Sequence, residues 1–140
     1  MAEESNSLRV RLVTPERILF DHAAVAVELP AKNGSMEVLY GHAPLVAELG
    51  AGDVVVHSGA DGDQHYNVSW GFAEVLGDRV TILASDALKP AEIDVPRAND
   101  QLARGNKLWS EAGDSAEAYD KALSVIAEAE AKLASAAQKH

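Results

Sequence analysis

The amino-acid sequence predicts an all-β domain, a sandwich or a barrel, followed by a two-helix hairpin, and three observations lead there. Up to about residue 84, short β-branched runs recur between turn residues at close spacing, without the alternating helices of a βα unit. Beyond it, β-branched residues thin out and alanine, glutamate and lysine take over, a composition that favours helix. Gly113-Asp114-Ser115 then cuts the second part into two helical stretches.

Strands are expected over residues 8–13, 17–21, 25–29, 36–39, 53–58, 65–70, 72–76 and 79–83. Alternation is clearest in Val25-Ala26-Val27-Glu28-Leu29 and Tyr66-Asn67-Val68-Ser69-Trp70, where every second residue would face a core. Gly59-Ala60-Asp61-Gly62-Asp63 and Gly77-Asp78 read as hairpin turns, so antiparallel pairing follows.

The domains are placed at 1–87 and 88–140. Pro96 suits the first turn of a helix, with Asp94 or Val95 as the flanking cap, and this helix runs to about residue 111 with Gly105 in its interior at a cost of about 1 kcal/mol. Gly113 suits a left-handed stop, and Asp114 with Glu117 three positions on has the form of a capping box for a second helix. Its apolar stripe is read as Tyr119, Leu123, Ile126, Leu133 and Ala137, with Glu130 on the same line. The short connection makes the two helices an antiparallel hairpin, and so few large side chains imply weak docking to any surface.

Composition excludes several function classes. Twelve Lys plus Arg against 22 Asp plus Glu, a net charge of −10, disfavours a protein whose affinity rests on neutralising phosphates, so no nucleic-acid partner is expected. The absence of cysteine removes disulfides, thiolate nucleophiles and cysteine zinc sites. No apolar run approaches the roughly 20 residues of a spanning helix, and Met1-Ala2-Glu3-Glu4 lacks the regions of a signal peptide.

Residues with chemical potential have plainer readings beside them. His42 could act as a base, but no nucleophile motif lies near it, and a histidine shaping the turn before Pro44 is the simpler reading. Asp61-Gly62-Asp63 suggests a calcium loop, yet no glutamate closes one of the required length. His22, His57, His65 and His140 are too scattered in sequence to argue for a metal, and none is expected. Trp70 and Phe72 read as core rather than as a ligand platform. Trp109 reads as a pin within the hairpin or against the sandwich. Glycine-rich phosphate cradles are missing. A catalytic reading would be an acid/base hydrolase using Glu28, Glu37 or Glu74, and a binding reading a free-standing ligand-binding sandwich, and neither gives the helical tail a role.

Four segments in register carry a family resemblance: Thr14-Pro15-Glu16-Arg17, Gly41-His42-Ala43-Pro44-Leu45-Val46, Gly71-Phe72-Ala73-Glu74-Val75 with Val80-Thr81-Ile82-Leu83-Ala84, and Ile93-Asp94-Val95-Pro96-Arg97-Ala98. Together they resemble the epsilon subunit of F-type ATP synthases, equivalent to the mitochondrial delta subunit. The resemblance implies a β-sandwich of about ten strands beside the gamma subunit on the ring of c subunits. It also implies a C-terminal helical hairpin that can extend toward the catalytic head and inhibit ATP hydrolysis. The implied partners are gamma, the c-ring and, transiently, alpha and beta. The implied location is peripheral, on the cytoplasmic face of the bacterial inner membrane, in a proton- or sodium-translocating enzyme where the chain has no catalytic residues of its own.

Carried over residue by residue, Lys32, Asn33, Ser35 and Met36 face the c-ring, and Gly41, His42, Ala43 and Pro44 lie against gamma. Asp94, Arg97 and Arg104 match part of an ATP site found in some members. No arginine follows Arg104, so cofactors are expected to be none, with ATP at most a weak regulatory ligand. Arg104 and Lys107 are the basic residues left for inhibitory contact with the head. Glu37 and Tyr40 stand where the family commonly has glycine and proline.

Overall fold

The computed structural model describes residues 7–138. Met1-Ala2-Glu3-Glu4, Lys139 and His140 lie outside them. The chain divides into two compact units, Met1–Leu88 and Lys89–His140.

The first unit holds seven strands: β1 (Leu8–Val13), β2 (Ile18–Ala24), β3 (Ala26–Ala31), β4 (Gly34–Leu39), β5 (Leu45–His57), β6 (Asp63–Leu76) and β7 (Arg79–Leu88). They hydrogen-bond in the order β2-β1-β7-β6-β5-β3-β4. All neighbours are antiparallel except β1 and β7. The sheet folds over itself into a sandwich whose core includes Leu8, Leu12, Leu29, Leu49, Val54, Val56, Val68, Val75 and Ile82.

Three long strands make that folding possible. In β5 the inward residues are Leu45, Ala47 and Leu49, then Val54 and Val56; in β6 they are Tyr66 and Val68, then Ala73 and Val75; in β7 they are Val80, Ile82 and Ala84, then Ala87. Each strand switches between odd and even numbers, and the switches fall on neighbouring positions, because Leu49 pairs with Gly71 and Gly71 with Ala84. A strand shows opposite faces to its alternate residues, so a change of parity along one strand marks its passage from one layer to the other.

At the centre of that line, Trp70 has φ 55° and Gly71 φ 140°. A Cβ on Gly71 would lie 2.0 Å from the carbonyl oxygen of Leu83, so only glycine fits. Gly50 and Gly52 occupy the corresponding stretch of β5.

This accounts for the strand count. Seven continuous strands are present rather than about ten; counted once per layer, the three long ones bring the total to ten segments. The expected strands 65–70 and 72–76 are the two halves of β6, while the first half of β5 went unread because Gly50 and Gly52 break its pattern.

The second unit is a helical hairpin of α1 (Val95–Ser110) and α2 (Ala116–Ala137), preceded by a 3₁₀ turn at Pro90–Glu92. Asp94 caps α1, its carboxylate accepting from the Arg97 N–H at 3.1 Å. Ser115 caps α2 by accepting from the Ala118 N–H, so the cap is one residue later than the expected Asp114 and Glu117 box. Gly113 adopts the expected left-handed conformation, φ 61°.

The inward face of α2 also differs from the expected stripe. Ala122, Ala129 and Ser135 are buried, whereas Leu123 is 49% exposed and Glu130 and Ala137 are exposed. The reason lies on α1, where a Cβ at Gly105 would come within 2.7 Å of Ile126 and 3.2 Å of Val125. The helices approach closely where Gly105 meets Val125 and Ile126, so Ile126 of the expected stripe lies at the contact while Leu123 is left largely exposed. Trp109 and Tyr119 meet edge to face near the connection, ring centres 4.7 Å apart, so Trp109 does pin the hairpin to itself.

Replacing Gly71 with alanine is expected to cost more than about 4 kcal/mol, because backbone atoms of β7 must move to admit the methyl group. Gly77→Ala, also at positive φ but facing open space, should cost about 1–2 kcal/mol. Urea midpoints of the two variants check the contrast; equal losses would contradict it.

Candidate functional site

The residues expected to meet partners occupy two loops of the sandwich. Lys32 and Asn33 form the β3–β4 turn, with Ser35 exposed and Met36 partly packed on the core. The Lys32 N–H donates to the Glu48 carbonyl at 2.8 Å, and its ammonium lies 3.5 Å from the Glu48 carboxylate, which fixes the turn against β5. A groove of about 420 Å³ runs between residues 31–36 and 45–48.

Gly41, at φ 88°, turns the chain after β4, and the His42 N–H closes the turn on the Leu39 carbonyl at 3.1 Å. The His42 Nδ1 lies 2.8 Å from the Ala43 carbonyl, so the imidazole is used locally in shaping this loop. Tyr40, Gly41, His42 and Pro44 line a groove of about 320 Å³ with Gly77 and Asp78 of the β6–β7 turn.

Beside these loops lies a surface that sequence reasoning missed. Phe72 pairs with Leu83, Leu83 with Val13, and Val13 with Ile18, forming an apolar row across β6, β7, β1 and β2. Phe72, Leu83 and Ile18 are each more than half exposed, at 55%, 54% and 56%. Exposed Val46 and Leu76 lie on the same part of the sheet, through the pairs Val46 with Glu74 and Leu76 with Arg79. Phe72 is therefore surface and not core, because the parity of β6 reverses at Gly71 and turns Phe72 outward. A contiguous apolar row of this kind on one face marks an interaction surface.

The other layer carries a charged cluster. His57 on β5 places Nε2 2.6 Å from a Glu28 carboxylate oxygen on β3 and 3.9 Å from Glu37 on β4, while Nδ1 lies 2.8 Å from Asp63 at the start of β6. Hydrogen bonding to Asp63 is the largest influence on the ring and pushes its pKa above the ordinary 6.5; partial burial opposes this, and the bond to Glu28 adds to it.

One ring nitrogen and two carboxylates within 4.8 Å of one another could in outline hold a cation. Both ring nitrogens lie within hydrogen-bond distance of a carboxylate, so with both protonated the group is an ion pair that leaves no nitrogen lone pair for a metal. The histidine and its carboxylates are up to 29 residues apart in sequence, and only the pairing of β3, β5 and β6 joins them. Glu28 and Glu37 are cross-strand partners on this open face, and Glu74 lies in the other layer, so the hydrolase reading has no common cleft.

On α1, Asp94 is committed to its cap, and Arg97, Arg104 and Lys107 are exposed. Arg97 and Arg104 are seven positions apart, about 10 Å along the axis.

A sandwich whose long strands are shared between its layers, with an apolar row on its outer face, and a close-packed helical hairpin define the architecture of the chain. Residues 7–90 match the family described as ATP synthase, Delta/Epsilon chain, beta-sandwich domain, and the chain belongs to that family. It is 39% identical over 136 residues to the ATP synthase epsilon chain of Solibacter usitatus, covering 96% of this chain and 98% of that one. Against the ATP synthase epsilon chain of Rhodobacter capsulatus, identity is 37% over 127 residues, 91% of this chain and 94% of that one. Its fold resembles a chain in the Euglena gracilis mitochondrial ATP synthase structure of OSCP, F1 and c-ring, with TM-score 0.78 at 21% identity, covering 92% of this chain and 81% of that one. Among the described residues no helix is long and apolar enough to cross a membrane.

Proposed function

We propose that this chain is a non-catalytic central-stalk subunit of a rotary ATP synthase, joining gamma to the c-ring through its sandwich and restraining ATP hydrolysis through its hairpin. The observation that carries this reading is the alignment of both units, nearly end to end, with relatives named ATP synthase epsilon chain.

The apolar row supports the gamma contact. Phe72, Leu83 and Ile18 are each about half exposed, so each has roughly 1 kcal/mol still to gain on burial, which in combination helps fix one rotor part against another. The 41–44 loop continues this contact, since its groove is shared with the β6–β7 turn at the end of the same layer. The c-ring contact falls to Lys32, Asn33, Ser35 and Met36, on the turn held by Glu48. The chain meets the membrane only through the ring, as a peripheral subunit.

In the hairpin, Arg104 and Lys107 supply the positive charge for acidic residues of the catalytic head. Arg97 and Arg104, with Asp94 already engaged as a cap, offer ATP too few ligands for tight binding.

The double variant Phe72→Thr with Leu83→Thr keeps strand-forming residues at two directly paired, largely exposed positions without setting like charges opposite one another, so it should fold, and it should lose co-purification with gamma from detergent-solubilised membranes. Retained co-purification would move the gamma contact elsewhere on the sandwich. Deleting residues 115–140 should leave ATP synthesis nearly intact and raise hydrolysis modestly, by about twofold to fivefold, since two exposed cations contribute little once screened. Loss of synthesis would make the hairpin part of the coupling device, and unchanged hydrolysis would remove its regulatory role.

A further inference from the structure

We infer that His57 with Glu28, Glu37 and Asp63 forms a proton-held clasp, which ties the β3–β4 hairpin to β5 and β6 while the imidazole is charged and loosens it when that proton leaves. The geometry carries the argument. Both ring nitrogens lie within hydrogen-bond distance of carboxylates on different strands, Glu28 at 2.6 Å and Asp63 at 2.8 Å, and only the doubly protonated ring can donate to both at once. Glu37, directly across from Glu28 in the β3–β4 pair, lies 3.9 Å from the same nitrogen.

Every element around His57 therefore presents negative charge: Glu28 from β3, Glu37 from β4 and Asp63 from β6. His65 lies two residues beyond Asp63 on the same strand face. Among the described residues, His57 is the one cationic group paired with these three carboxylates. Neutral His57 would thus leave three carboxylates facing one another without a cation, and like charges on adjacent strands push apart.

The direction of the effect follows from the raised pKa of His57. A group whose folded pKa exceeds its unfolded value stabilises fully below the unfolded pKa, here about 6.5, and loses that contribution as pH rises through the folded pKa. The clasp is closed in mildly acidic solution and opens toward alkaline pH. Any bearing on the ring rests on the rotor reading, since the hairpin carries the turn assigned to the c-ring, but the clasp itself is tested on the isolated full-length chain.

The His57 ring resonance is followed by NMR from about pH 5 to about pH 9, together with amide exchange over residues 26–39 corrected for intrinsic base catalysis. In the unsubstituted chain the midpoint should lie above 6.5, and corrected exchange should rise by about threefold or more across it. Asp63→Asn should move the midpoint down toward 6.5, and His57→Gln should abolish the step in exchange. A midpoint at or below 6.5, corrected exchange that is flat across it, or a step that persists in His57→Gln would each overturn the proposal.

Discussion

The close pass of β6 over β7 at Gly71 is the constraint on which the sandwich depends. The site for a side chain there is filled by the Leu83 carbonyl, and the preceding Trp70 accepts a left-handed conformation to deliver the chain to it. Such a backbone position is unfavourable for a residue with a side chain and persists only where its surroundings enforce it. What it accomplishes is a reversal of facing in the middle of the longest strand. Tyr66 and Val68 point into the core from one layer, and Ala73 and Val75 from the other. With β5 and β7 turning at the same line, one hydrogen-bonded sheet covers both sides of one core.

The surfaces follow from that reversal. Because the second half of β6 is turned over, Phe72 and Leu76 face out, and Phe72 joins Leu83 and Val13 in an apolar row. The other half of the sheet turns polar side chains outward, with His57 among its carboxylates and, buried, the Asn67 amide donating to Asp53 at 3.3 Å. One layer thus turns apolar side chains outward, and the other polar and charged ones.

Much of this was legible in the residues, and what was not had physical causes. Composition alone separates the two units near residue 88, and Gly71 correctly divides the two halves of β6. The outward turn of Phe72 was hidden, since alternation read along one strand does not reveal where parity resets. The first half of β5 was hidden for a related reason, since Gly50 and Gly52 look like loop punctuation and instead mark the crossing between layers. In the hairpin, the stripe read from spacing holds at Ile126, which meets Gly105, but not at Leu123, which is left 49% exposed, because pattern alone does not show where a glycine lets two helices approach. The His57 cluster needed four strands in register, which pattern reading along a chain does not supply.

The proposed role is mechanical, with the sandwich turning with the ring rather than sliding over it. The chain contains no cysteine, so Ser35→Cys introduces a single thiol on the exposed β3–β4 turn, to be paired with a cysteine in the polar loop of the ring subunit of the assembled enzyme. In that role the disulfide should form and ATP-driven ion pumping should continue with the bond closed, because the two joined parts would not move relative to one another. An assembled enzyme in which no cross-link forms, or in which pumping stops when the bond closes, would contradict it.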